Sequence, residues 1–108
     1  MKRILTLPAV CLTLATLPAV ASACPWGGGA FKFSEHGIYG DFTVNGGCTE
    51  MVWDRLSDGP ETAALERTKY GWKGSLEKAD VELLEDGEHL RLTGHGGPTR
   101  QFPVKRTQ

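Results

Sequence analysis

The sequence predicts an all-β domain, a small antiparallel β-sandwich or barrel, and three observations carry that expectation. Glycine is abundant, 14 in 108 residues. It suits tight turns, which use its tolerance of positive φ, and it weakens helices. Turn signals recur about every ten residues, at Asn45-Gly46-Gly47, Asp58-Gly59-Pro60, Asp86-Gly87 and Gly96-Gly97-Pro98. Between them, apolar and polar residues alternate at the period of a half-buried strand.

Residues 1–23 stand apart from that pattern. Lys2 and Arg3 form a positive start, an uncharged apolar run spans Ile4 to Leu17, and Pro18 breaks any helix. The small-residue sites Ala19-Val20-Ala21 and Ala21-Ser22-Ala23 follow, which completes the order of a cleaved secretory signal peptide. A membrane anchor is the alternative, but Pro8 and Pro18 weaken a stretch that only approaches the ~20 residues of a span. The expected location is therefore exported, periplasmic or secreted. Removing Lys2 and Arg3 takes the formal net charge from −1 to −3. What remains is about 85 residues, room for one small domain. That length excludes a multidomain enzyme, a dinucleotide-binding α/β fold and a polytopic membrane protein.

Three cysteines are present, and Cys11 lies in the signal. Cys24 and Cys48 are then an even pair in an oxidising compartment and read as one disulfide. A rival reading is open, because Val20-Ala21-Ser22-Ala23-Cys24 resembles a loose bacterial lipobox that would acylate Cys24. It departs from the usual pattern at Ala21, where leucine is commonest. Lipidation would make the protein a membrane-tethered lipoprotein and leave Cys48 unpaired. Residues 24–30, rich in glycine, read as an N-terminal tether under either alternative.

The β-rich domain is expected over 31–108. Phe31 and Phe33 flank Lys32, and Ile38, Gly40, Phe42 and Val44 alternate with Tyr39, Asp41 and Thr43. Met51 and Trp53 flank Val52. Residues 60–69 are ambiguous: Pro60 at a first helical position, followed by Glu61, Ala63, Ala64, Leu65, Glu66 and Arg67, favours a short helix. The extended alternative would place Ala63 and Leu65 on one face. Asp86-Gly87 closes the clearest hairpin, with Leu83 facing Leu90, Val81 facing Leu92 and Glu82 facing Arg91. Phe102 and Val104 end the alternation.

No arrangement of residues points to catalysis. Ser34, Ser57 and Ser75 lack a G-x-S-x-G setting, and Ser34-Glu35-His36 would alternate faces on a strand. His36, His89 and His95 have no metal-site spacing, and there is no C-x-x-C. The expectation is therefore no enzyme, no metal and no cofactor. Gly27-Gly28-Gly29 and Gly94-His95-Gly96-Gly97 lack a phosphate clamp, and a negative net charge argues against nucleic acid.

Aromatic and basic residues carry what functional signal there is. Trp53, Tyr70 and Trp72 lie in or beside expected strands, and exposed aromatics often anchor a partner. For Trp72, between Gly71 and Gly74, the competing reading is a core plug beside a bend. Residues 77–88 hold six acids, while 89–108 hold four bases and no acid. Folded together they would neutralise each other; alternatively, Arg91, Arg100, Lys105 and Arg106 form a patch for an anionic partner. The functional expectation is a small, exported, non-enzymatic binding or inhibitor-type module acting on a protein or glycan partner. The alternative is an envelope lipoprotein with a structural role, membrane-bound only if Cys24 is acylated.

Overall fold

A computed structural model describes residues 24–108, and the expected signal peptide at 1–23 lies outside the described residues. Ten strands form two antiparallel five-stranded sheets packed together. They are β1 (Ala30–Glu35), β2 (Ile38–Val44), β3 (Glu50–Asp54), β4 (Pro60–Ala64) and β5 (Glu66–Arg67). β6 (Gly71–Ser75), β7 (Ala79–Leu84), β8 (His89–Gly94), β9 (Thr99–Pro103) and β10 (Lys105–Arg106) follow. One sheet runs β10-β1-β2-β3-β4 and the other β5-β6-β7-β8-β9.

The two sheets share strands at their corners. β4 continues into β5 through Leu65, and β9 continues into β10 through Val104. Since β10 pairs with β1, every hydrogen-bonded neighbour but that one is consecutive in the chain, and the continuing chain links the two sheets at both corners. The two packed sheets thus form a flattened, barrel-like sandwich whose edge strands continue into the facing sheet.

Period-two alternation sorts the side chains. Phe31, Phe33, Phe42, Val44, Met51, Val81, Leu83, Leu90 and Phe102 all turn inward and are buried. The outward row Glu66, Lys73, Glu82, Arg91 and Gln101 runs across five strands with its first four charges alternating in sign. The hairpin around Asp86-Gly87 has the expected register, with Leu83 opposite Leu90, Val81 opposite Leu92 and Glu82 opposite Arg91. A second tight hairpin joins β1 to β2 through His36 and Gly37, whose φ values of 53° and 80° suit a type I′ turn.

The favoured helix over 60–69 is corrected by the structure. Pro60–Ala64 is a strand paired along its whole length with β3, from Glu50 opposite Ala64 to Asp54 opposite Pro60. Ala63 and Leu65 both enter the core, as the extended alternative required. The helical preference of Ala, Leu and Glu amounts to tenths of a kcal/mol per residue, and a helix this short is marginal alone. Leaving β3 unpaired and Leu65 exposed would be the larger loss.

Residues 24–30 are not a loose tether. The segment turns back on itself, with the Gly27 N–H donating to the Cys24 carbonyl and the Gly28 N–H to the Val44 carbonyl. This carries Trp26 to a fully buried site between Phe31 and Phe42, its indole N–H donating to the Leu84 carbonyl at 2.7 Å. Trp26 plugs the end of the barrel formed by the start of β1 and the ends of β2 and β7. The Cys24–Cys48 disulfide, spanning 24 residues of sequence, ties that plug to the β2–β3 turn.

Asp86 holds its hairpin together through charge. Burial pushes its carboxyl up, but hydrogen bonds from the Glu88 N–H, the His89 ring and the His89 N–H outweigh this and lower it. Asp80 is lowered as well, chiefly by the Ser75 hydroxyl. Such groups contribute stability that is present above the ordinary carboxylate value of 3.8 and is lost as pH falls through the lower folded value. Thermal melts from pH 7 downward should therefore show a loss of stability that begins near pH ~4. In Asp86→Asn the neutral side chain still caps the turn, so the acid-side slope should flatten. An unchanged slope would show that the charge of Asp86 contributes nothing to the acid limb.

Candidate functional site

The two ends of the barrel differ. Trp26 and the disulfide close one; at the other, β4 and β6 diverge. The Ala63–Leu65 segment still packs on Gly74, but Glu61 and Leu76 stand on either side of an opening. A cleft of about 650 Å³ lies there, with Trp53, Leu76, Ala79 and Leu92 as apolar walls and Arg55, Asp58, Glu61, Glu77 and Lys78 at its polar margin. That volume is within the ~300–1,000 Å³ of ordinary ligand pockets.

Each wall is positioned by packing. The Trp53 ring stacks on Phe42 at 5.5 Å with an interplanar angle of 3° and meets Phe33 nearly edge-on at 5.8 Å. Gly40 makes that approach possible, since a Cβ there would lie 2.5 Å from both the Phe33 and the Trp53 rings. Leu76, Ala79 and Leu92 occupy inward positions near the ends of β6, β7 and β8.

The margin is organised by Arg55. Its Nε donates to the Gly59 carbonyl at 3.0 Å and its Nη2 to the Asp58 carbonyl at 2.9 Å. Its Nη1 reaches the Glu77 carboxylate at 3.1 Å and that of Glu61 at 3.9 Å. Glu61 also accepts the Glu77 N–H at 2.6 Å, bridging the diverging strands. The guanidinium therefore pins residues 55–59 against the β6–β7 turn. Within that loop Leu56 has φ of 60°, uncommon for any residue but glycine, and is 62 % exposed. The Leu56 N–H is held by the Asp54 carboxylate at 2.8 Å.

The residues expected to contact a partner do not gather in one place. Trp53 is half-buried and lines the cleft. Trp72 is only 8 % exposed, opposite Leu83 in the core and covered by the Arg67 guanidinium at 4.5 Å. Neither tryptophan protrudes as an anchor, because a domain this small needs both rings to fill its interior. Tyr70 is exposed at the Trp26 end, with the Arg91 guanidinium 5.3 Å from its ring centre. Arg91 itself faces Glu82 at 3.7 Å on the outer surface.

The basic patch does not form either. Arg100 is exposed in the register of Leu92, Lys105 lies opposite Lys32 on the other sheet, and the Arg106 guanidinium donates to the Pro25 carbonyl. Ser34 and Glu35 belong to β1 and His36 to the turn that follows. Among the described residues no three His, Cys, Asp or Glu side chains come together as a metal site.

Sequence reasoning missed Arg55, Leu76, Ala79 and Leu92 as site residues. Asp58-Gly59-Pro60 marked the loop, and the alternation placed Leu92 inward. Nothing in either signal says that β4 and β6 separate above them. No protein-family model, curated protein or solved structure matches the chain.

Proposed function

We propose that this chain is a non-catalytic binding module of an exported compartment, and that its ligand enters the cleft beside Trp53. The observation that carries this reading is a ligand-sized cavity with one aromatic and three aliphatic walls and a margin of charged groups. Arg55 ties the 55–59 loop to the β6–β7 turn through contacts already made within the chain, so little ordering entropy opposes binding. The disulfide supports an oxidising setting. It also occupies the Cys24 sulfur that a lipid thioether would need, so the lipoprotein alternative is not carried forward.

The uncharged fluorescent probe N-phenyl-1-naphthylamine tests the cavity directly. Its emission should rise on mixing with the oxidised protein, and Ala79→Trp, which fills the cleft, should abolish the rise. Leu92→Trp gives a second filling variant, and thermal melts of both confirm that they fold. No rise with the wild type, or an equal rise with both folded variants, would overturn the reading.

A further inference from the structure

We infer that the cleft selects an amphipathic cation, a ligand with an apolar body and an ammonium-like head. This rests on the cleft being the binding site and names what the site takes. Three carboxylates, Asp58, Glu61 and Glu77, meet two cations, Arg55 and Lys78, at the margin. The cations are unequal in what they can offer. Three of the five Arg55 N–H groups already donate, to Gly59, Asp58 and Glu77, so the guanidinium is held within the wall.

The carboxylates keep capacity in reserve. Among the described residues the Asp58 carboxylate makes no hydrogen bond or ion pair, and the Glu77 carboxylate is engaged through one oxygen only, by Arg55. Lys78 is the other cation of the margin; it is exposed on the β6–β7 turn, as Asp58 and Glu77 are, and it offsets one of the three carboxylates. Arg100 is exposed on β9 and does not line the cleft. The lining therefore carries one net negative charge, in a domain whose formal charge without Lys2 and Arg3 is −3. That excess of one carboxylate favours an incoming cation, which can pair with Asp58 and Glu77, over an anion, which has only Lys78 to meet.

The apolar walls set the rest of the ligand. Leu76, Ala79 and Leu92 offer no hydrogen-bonding side chain, so a body of aliphatic or aromatic carbon fits there and a polyol does not. The Trp53 ring, stacked on Phe42 and met edge-on by Phe33, lines the cavity, where an aromatic wall favours a cation.

Calorimetric titration with three probes of one chain length, each below its micelle concentration, tests the inference. The probes are octyltrimethylammonium, octyl sulfate and octyl glucoside. At low ionic strength the ammonium should bind about tenfold more tightly than the sulfate, and added salt should shrink the difference. Asp58→Asn, which removes a carboxylate that holds no other group of the described residues, should lower the ammonium affinity and reduce that preference, with octyl glucoside binding as the measure of whether the apolar part of the cleft is intact. Ala79→Trp should abolish binding of the ammonium, which separates the cleft from the acidic surface at large. Sulfate binding equal to or tighter than ammonium binding would overturn the cation selectivity and leave the cleft in place as a binding site. Failure of all three probes would overturn the cleft reading together with it.

Discussion

Trp26→Ala is expected to lower the free energy of unfolding by about 3–5 kcal/mol, the range for removing a large buried aromatic side chain. The indole is fully buried, touches Phe31 at 4.8 Å and Phe42 at 6.1 Å between ring centres, and donates its N–H to the Leu84 carbonyl. Its loss would open the plugged end of the barrel and remove one of the two hydrogen bonds that the Leu84 carbonyl accepts, leaving the one from the Gly87 N–H. A domain of this size has a total stability of roughly 5–15 kcal/mol, so the variant should be close to unfolded at 37 °C. Urea titration followed by circular dichroism measures the effect. Trp26→Phe divides it, because phenylalanine keeps most of the apolar contact and loses the hydrogen bond; it should account for about 1–3 kcal/mol. A loss below about 1 kcal/mol for Trp26→Ala would mean that the N-terminal turn is not part of the cooperative core.

Removing the disulfide by Cys24→Ala with Cys48→Ala should cost about 3 kcal/mol, the chain-entropy value for a loop of this length. Replacing both residues avoids leaving a free thiol in the interior, where Cys48 is 3 % exposed. The two large effects should not add. Cys24 is two residues from Trp26, and one function of the bond is to hold the plug against the β2–β3 turn. The Trp26→Ala, Cys24→Ala, Cys48→Ala protein should therefore lose less than the sum of its parts, by about 0.5–3 kcal/mol. Strict additivity in the same urea titrations would show that bond and plug act independently.

The parts of the fold legible in the sequence are those specified by neighbours in the chain. The β7–β8 hairpin is one case: a two-residue turn, apolar pairs on one face and Glu82 opposite Arg91 admit one register, since a slip of one residue would reverse the faces. The inward placement of Phe31, Phe33, Phe42, Val44, Met51 and Phe102 follows from alternation in the same way. Residues 60–67 resisted because their local preferences are weak and nearly balanced. Pairing with β3, a tertiary partner, decided for strand. The glycines at 27–29 read as flexible, yet they serve a tight turn that Trp26 and the disulfide make rigid.

The cleft was further from reach. Trp53 was picked out as an aromatic, but Arg55, Leu76 and Leu92 become one site only where β4 leaves β6, and no local pattern encodes that separation. Alternation, turn chemistry and cysteine parity determined by themselves that this chain is an antiparallel β domain, which of its alternating residues face the core, and that Cys24 and Cys48 can pair. Tertiary structure alone decided that Trp26 plugs one end, that Trp72 is core, and that the opposite end stays open around Trp53. The division has one physical cause. Period and turn residues act between neighbours in the chain, whereas closing a barrel depends on how the two sheets fit together at each end.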